Sequence, residues 1–337
     1  MSGSNRRLAT ILIFTFFALV ISVSAADIKF AGYIHSWFSY GDQDNDGSSA
    51  YGFTLRRVRL KPYGSLSKSI QWGFHVGWDK QTAKLIEVFI NFHLSKSFNI
   101  KIGQIPVPGA ISGTLTSTTK LDFVERAAIT AQWGGHSALS GHRGVGIQVH
   151  GNLFNDKLYY AVMMANPNTS SLFSPGVKSS DYSHENNGVA LWGRVEAKLI
   201  KGFRIGAFYN VGETTDSHYE RNSYGAHLFY IKDPINLKIE YIAGEYFIQG
   251  TETKYNGMYT VLGYKVDKFE PIVRYGLYTP NDGFPDSIGI ETYKNITLGL
   301  NYYHSNKIKF QANYVSRSEK GIELKNNLFY INLQYTF

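Results

Sequence analysis

Apolar and polar side chains alternate along most of this chain. Ile70, Trp72, Phe74, Val76 and Trp78 fall on one side of an extended segment, and Gln71, Gly73, His75, Gly77 and Asp79 on the other. Leu237, Ile239 and Tyr241 alternate in the same way with Lys238 and Glu240, and Ile308, Phe310, Ala312 and Tyr314 with Lys309, Gln311 and Asn313. A period of two places each set on one face of a β-strand. Sixteen such segments of about 9 to 15 residues follow from residue 27 onward: 27–40, 52–66, 69–79, 84–94, 97–105, 141–151, 156–166, 188–199, 202–211, 222–232, 235–246, 256–266, 269–278, 293–304, 307–316 and 325–337.

Strands with one apolar and one polar face suit a soluble sandwich as well as a membrane barrel, and two features separate them. Short connections (Ser95-Lys96, Ile200-Lys201, Asp233-Pro234, Asp267-Lys268 and Ser305-Asn306 among them) recur at every second junction, with longer ones between. Outer-membrane barrels have this rhythm, short turns on the periplasmic side and longer loops outside, and an even strand count. The chain also ends on an alternating strand, Phe329, Ile331, Leu333, Tyr335 and Phe337, resembling the terminal strand that the barrel assembly machinery reads. The pattern predicts an all-β fold, a transmembrane antiparallel barrel of 16 strands. Such a barrel encloses a lumen wide enough for an aqueous channel.

Upstream, Arg6 and Arg7 precede a charge-free apolar run from Leu8 to Val23, then the small residues Ser24, Ala25 and Ala26. The run is short of the ~20 residues a spanning helix needs, and its flanks are those of a secretory signal peptide. We therefore expect residues 1–25 to be a leader cleaved near Ala25 or Ala26, and residues 26–337 to form one barrel domain in the bacterial outer membrane, in contact with its lipid. Twenty-four Tyr, 22 Phe and 33 Gly suit strands, interfacial aromatic girdles and tight turns. With no Cys, disulfides and Cys-based metal sites are excluded. The net charge is +8, and removing Arg6 and Arg7 leaves +6. For an exported chain this points to anionic solutes rather than nucleic acid.

One connection breaks the rhythm. Gly103 to Arg143 carries roughly thirty residues with no sustained period of two, and loops beyond about 15 residues usually carry function. This third connection is expected to fold into the lumen, the alternative being a surface loop with a short amphipathic helix near Lys120–Ile129. Its middle is rich in hydroxyls (Ser112, Thr114, Thr116, Ser117, Thr118, Thr119), with Lys120 and Arg126 adding charge. Where parity is legible, the inward bases are Arg57, Arg59, Lys61, Lys101, Arg194, Lys198, Arg204, Lys238, Arg274 and Lys309, against the acids Asp79, Glu87, Glu196, Glu240 and Glu270. Ladders of Arg and Lys favour anions in pores. Arg126 is either an anion-site residue or, paired with Glu125, a structural lock.

The residues resemble a known family. Phe53-Thr54-Leu55-Arg56-Arg57-Val58-Arg59-Leu60 resembles the F-x-L-R-R-x-R-L strand of the phosphate-selective porin O and P family. Leu85-Ile86-Glu87-Val88-Phe89-Ile90 resembles its acidic-then-aromatic strand, Gly103-Gln104 with Pro108 its G-Q-x-x-x-P segment, and Phe123-Val124-Glu125-Arg126 its F-x-E-R. Arg143-Gly144-Val145-Gly146 resembles the segment that reopens the barrel. The resemblance is dense from about 52 to 150. It implies a homotrimer of sixteen-stranded barrels, an inward third loop acting as a constriction beside the acids Glu87 and Glu125, and an anion-conducting lumen. Ile105-Pro106-Val107-Pro108-Gly109 lacks the basic residue and the Phe that the family often has there, leaving open whether the channel is phosphate-selective or prefers anions in general.

Other chemistries find little support. Asp42-Gln43-Asp44-Asn45-Asp46-Gly47 opens like a calcium loop, but its twelfth position is Phe53 where a bidentate Glu is needed. The ten His show no metal-ligand spacing, and His35, His75, His150 and His227 are expected to face lumen water as neutral groups. No G-x-S-x-G or other nucleophile signature occurs. No enzyme activity, metal or cofactor is expected. The competing functions are a general porin without an anion site and a barrel serving as a structural or adhesin surface protein.

Overall fold

A computed structural model of the chain describes residues 28–42, 49–79, 82–137, 142–166, 189–213, 220–248, 251–282, 289–322 and 324–337. The leader, the calcium-like loop from residue 43 onward and residues 138–141 of the third connection lie outside the described residues.

The strands are β1 (Lys29–Asp42), β2 (Ser49–Ser67), β3 (Ile70–Asp79), β4 (Thr82–His93), β5 (Asn99–Pro106), β6 (Arg143–Leu153), β7 (Leu158–Ala165), β8 (Ala190–Ile200), β9 (Phe203–Glu213), β10 (Glu220–Lys232), β11 (Ile235–Ile248), β12 (Thr251–Tyr264), β13 (Phe269–Thr279), β14 (Ile290–Tyr303), β15 (Ile308–Gly321) and β16 (Leu328–Thr336). Each pairs antiparallel with its neighbours in the chain, and β1 pairs with β16 from Tyr33↔Thr336 to Gly41↔Leu328. The sheet is therefore a closed barrel of sixteen strands, as the alternation predicts.

Burial along the strands is the reverse of a soluble sandwich. On β15, Lys309, Gln311 and Asn313 are buried while Phe310 and Tyr314 are exposed; on β13, Glu270 and Arg274 are buried while Val273 and Tyr275 are exposed. An apolar outer face needs hydrocarbon around it, and the closed sheet supplies a partner for every backbone group at that depth. No helix among the described residues is long and apolar enough to cross a membrane.

Two expectations need correction. Several strands extend beyond the alternating stretch: β2 starts at Ser49, β12 at Thr251, and β15 runs to Gly321. There the backbone ladder continues, as in Ile248↔Thr251, although the side chains no longer alternate, because backbone pairing needs no apolar face once both sides are wet. The connections on this side are also less uniformly long than expected: only residues 80–81 separate β3 from β4, and 249–250 separate β11 from β12.

The third connection has a wide helical turn at Ile111–Leu115, a tight one at Thr118–Lys120, and a ten-residue helix, α1 (Ala128–Ser137). The alternative placing of a helix near 120–129 is thus shifted towards the C-terminus. Residues 121–125 form a bent, non-helical stretch instead, because barrel side chains take their backbone groups. Asn313 accepts from the Val124 amide, Asn301 and Gln311 donate to the Asp122 carbonyl, and Arg274 donates to the Glu125 carbonyl. The largest apolar cluster forms where this connection meets buried residues of β7 to β13. Wholly buried Trp133 lies edge-on to Trp192 (5.7 Å) and Phe208 (5.6 Å) and donates to Ser223 Oγ. Gly257 makes room for Ile129, since a Cβ there would come within 2.8 Å of that side chain.

Candidate functional site

The site begins on β2. Arg57, Arg59 and Lys61 recur at every second position and therefore share a face. A bulge opposite His35 and Ser36 adds Arg56 to the same level, because it inserts one unpaired residue into the strand. The Arg56 and Arg57 guanidiniums lie over the Trp37 ring at 5.2 and 5.4 Å. Below them, Arg59 donates to Asp79 Oδ1 (2.5 Å) and to the Trp78 carbonyl (3.2 Å). Beside this ladder, Arg143 at the start of β6 makes two bonds to Glu87 Oε1 (3.1 and 2.8 Å), and His75 Nδ1 lies 3.6 Å from the same oxygen.

The third connection supplies the opposite side. Glu125 lies 3.6 Å from Arg56 and 3.4 Å from Arg57, so it bridges the two arginines. The Glu125–Arg126 lock therefore does not form as expected. Arg126 donates instead to the carbonyls of Gly113 (3.3 Å) and Thr116 (2.8 Å). Burial, together with the charges of Arg57 and Arg143, pushes the Arg126 guanidinium down to about 10, still charged at neutral pH. The same environment holds the His142 imidazole down at about 4, chiefly through burial and then through Arg126 and Arg143. The hydroxyls are mostly engaged. Ser112 donates to Glu240, Thr114 to the Ala110 carbonyl and Thr116 to the Ile111 carbonyl; Ser117 bonds Thr119, and Thr118 bonds Tyr33.

Between these two sides lies a cavity of 720 Å³. Seven basic groups line it (Arg56, Arg57, Arg59, Lys61, Lys84, Arg126 and Arg143) against three carboxylates, Asp79, Glu87 and Glu125. Of the twelve bases singled out in the sequence, Arg57, Arg59, Lys61 and Arg126 are brought together here. Four others hold the third connection. Lys238 reaches both oxygens of Asp122 (2.7 and 2.6 Å), Arg274 donates to the Glu125 carbonyl, Lys309 to the Leu121 and Thr119 carbonyls, and Arg194 to the Gly109 carbonyl and to Glu196. Lys101 lies 3.8 Å above the Phe89 ring, Lys120 is exposed, and Lys198 and Arg204 line a separate 580 Å³ hollow by the short turns, Arg204 3.7 Å from Glu196. Glu240 likewise serves the connection, accepting from the Ile111 amide (2.6 Å) and from Ser112.

Sequence parity missed Arg56, Lys84 and Arg143. The double arginine inside a strand was the available signal for the bulge, and Arg143 stood in the segment that reopens the barrel. The histidines differ from expectation too. His35 and His227 are buried and bonded to Gln334 and Glu196 rather than facing water. Polar closure with other side chains is the cheaper state for a buried imidazole.

A closed barrel, apolar outside and polar inside, with a charged cavity against its wall, defines the class of outer-membrane diffusion porins. The chain belongs to the phosphate-selective porin O and P family, whose sequence profile matches residues 28–337. No protein of curated description matches the chain. Among solved structures, the fold is similar to the anion-selective porin from Comamonas acidovorans (TM-score 0.67, 14% identity, 93% of this chain and 100% of that chain). It is also similar to the outer membrane channel DcaP of Acinetobacter baumannii (TM-score 0.65, 12% identity, 93% and 98%) and to Salmonella typhi OmpF (TM-score 0.67, 12% identity, 93% and 98%). Family and fold are those of non-enzymatic channels.

Proposed function

We propose that this porin passes small anions through an off-axis conduit, the 720 Å³ cavity, with residues 107–137 lying in the lumen and narrowing it to that side. The observation that carries the reading is the imbalance of that cavity, seven cations against three carboxylates. In a water-filled space of this size the excess enriches anions and repels cations. The β2 ladder offers an anion successive stations 6–7 Å apart along the strand, none closed enough to hold it. Arginine suits oxyanions because its planar fork meets two oxygens at once. Lys238, Arg274, Lys309 and Arg194 act indirectly, by fixing the connection against the far wall. Glu87 and Glu125 temper the site by holding Arg143, Arg56 and Arg57.

Selection is by charge rather than by a dedicated phosphate cradle. The hydroxyls that could replace an oxyanion's water are already bonded, within the connection or to Glu240 and Tyr33 of the barrel, and Ile105 and Val107 occupy the stretch where the family often has a cation. The protein works as a homotrimer in the outer membrane, like the trimer form of Vibrio cholerae OmpT among its structural relatives. It arrives there after loss of the leader, and its last strand engages the assembly machinery.

Planar-bilayer recording in asymmetric salt tests this. The reversal potential should carry the sign of anion preference, and joint replacement of Arg57, Arg59 and Lys61 by Gln should move it towards zero. A cation-selective native channel, or an unmoved potential in the triple variant, would refute the reading. A folded, inserted protein that conducts nothing would favour a structural or adhesin role.

A further inference from the structure

The cavity is not lined by polar groups alone. Opposite His75 and Val76 the register of β4 passes from Glu87 to Leu85 and leaves Ile86 unpaired. Such a bulge re-aims a side chain, and Ile86 joins the cavity lining. Gly77 of β3 lets it reach Arg59. A Cβ there would stand 2.6 Å from Arg59 Cδ and 2.7 Å from Ile86 Cδ1, so the two side chains converge over the bare backbone.

The third connection repeats the arrangement. Leu115 lines the cavity and is 42% exposed, whereas every other large apolar side chain of the described connection is buried. Arg126 wraps the turn that carries it, donating to the carbonyls of Gly113 and Thr116 on either side. Lower on β2, Lys61 Nζ lies 5.9 Å from the centre of the Tyr33 ring. Three cations of the conduit, Arg59, Lys61 and Arg126, thus each stand beside an apolar surface. At the head of the ladder, Arg57 Nη1 is buried with no hydrogen-bond partner among the described residues, which leaves a donor for a passing carboxylate.

We infer that the conduit favours organic carboxylates with an apolar body, short aliphatic or aromatic acids, over compact inorganic anions. The inference rests on the anion-conduit reading above. The carboxylate passes along the cations while its hydrocarbon part lies against Ile86, Leu115 or Tyr33. An inorganic oxyanion meets the same cations, but the apolar surfaces give it nothing in place of its water. A cavity of 720 Å³ is of the size usual for small organic ligands. A methylene wholly removed from water gains about fourfold in partition, and one with a wall on a single side about twofold. Butyrate, longer than acetate by a pair of methylenes, should therefore be favoured by about fourfold.

Bi-ionic reversal potentials in a planar bilayer test this, with potassium chloride on one side and potassium acetate, butyrate or benzoate on the other. The butyrate-to-acetate permeability ratio should be about 4, where the lower aqueous mobility of butyrate alone would put it below unity, and benzoate should also exceed acetate. Leu115→Ser changes a side chain that is already half exposed and should lower the ratio about twofold; Leu115→Met should keep it, and Ile86→Thr on the barrel wall should lower it as well. The chloride-to-potassium ratio is read in the same membranes. A native channel that prefers chloride to potassium yet passes butyrate no better than acetate overturns the inference alone, as do Ser and Thr variants that both keep the native ratio. A native channel with no preference for chloride overturns the conduit reading and this inference with it.

Discussion

Glu125→Gln is the most discriminating single change. The side chain keeps its shape, and the contact from Arg274 is made to the backbone carbonyl, so the connection should keep its place. What changes is one negative charge lying 3.4 to 3.6 Å from Arg57 and Arg56 on the cavity wall. A unit charge acts on an ion passing roughly 6 Å away with about 0.7 kcal/mol in water, reduced by screening to about 0.4 kcal/mol at 0.1 M salt. Anions and cations feel it with opposite sign, so the permeability ratio should shift by about fourfold towards anions. At 1 M salt the screening length falls to about 3 Å and the shift should shrink to about 1.4-fold. Reversal potentials of the native and variant channels at the two salt concentrations measure this directly. An unchanged ratio, a shift towards cations, or a shift indifferent to salt would refute the electrostatic account of the conduit.

Asp122→Asn removes the charge that Lys238 grips with both oxygens in reach; losing one member of a largely buried pair costs about 3 kcal/mol, and we expect frequent flicker in single-channel traces with the barrel still heat-resistant. Trp133→Ala empties a fully buried site and should cost about 3–5 kcal/mol, seen as a lower unfolding temperature and a larger, noisier conductance. His142 titrates at about 4 in the folded protein against an ordinary 6.5, so its contribution is intact above pH 6.5. It is lost as pH falls from there to about 4, because the unfolded connection takes the proton first. Acid-induced noise in that window should diminish in His142→Gln, and equal noise in both proteins would count against it.

The strands were legible because one face must be apolar and the other polar wherever the wall crosses lipid, and that requirement writes a period of two into the chain. It lapses above the membrane, which is why the outer ends of β2, β12 and β15 were cut short. The cations were legible only as far as their face. Parity places Lys238, Arg274 and Lys309 inside the barrel as firmly as Arg57 and Arg59, but it cannot say which inner surface meets water and which meets the third connection. That depends on tertiary contacts between residues more than 100 positions apart, such as Asp122 with Lys238 and Val124 with Asn313. The β2 bulge defeated parity locally: it brought Arg56 to the level of Arg57, and so gave Glu125 two partners that strict alternation would have kept on opposite faces.

Every residue lining the 720 Å³ cavity lies between Tyr33 and Arg143. Side chains of β8, β11, β13 and β15 bond the third connection instead. The chain is therefore divided into a transferable cartridge and a housing. Exchange of the first 150 residues between relatives would move ion preference as a unit, provided the receiving half kept its anchors for the loop.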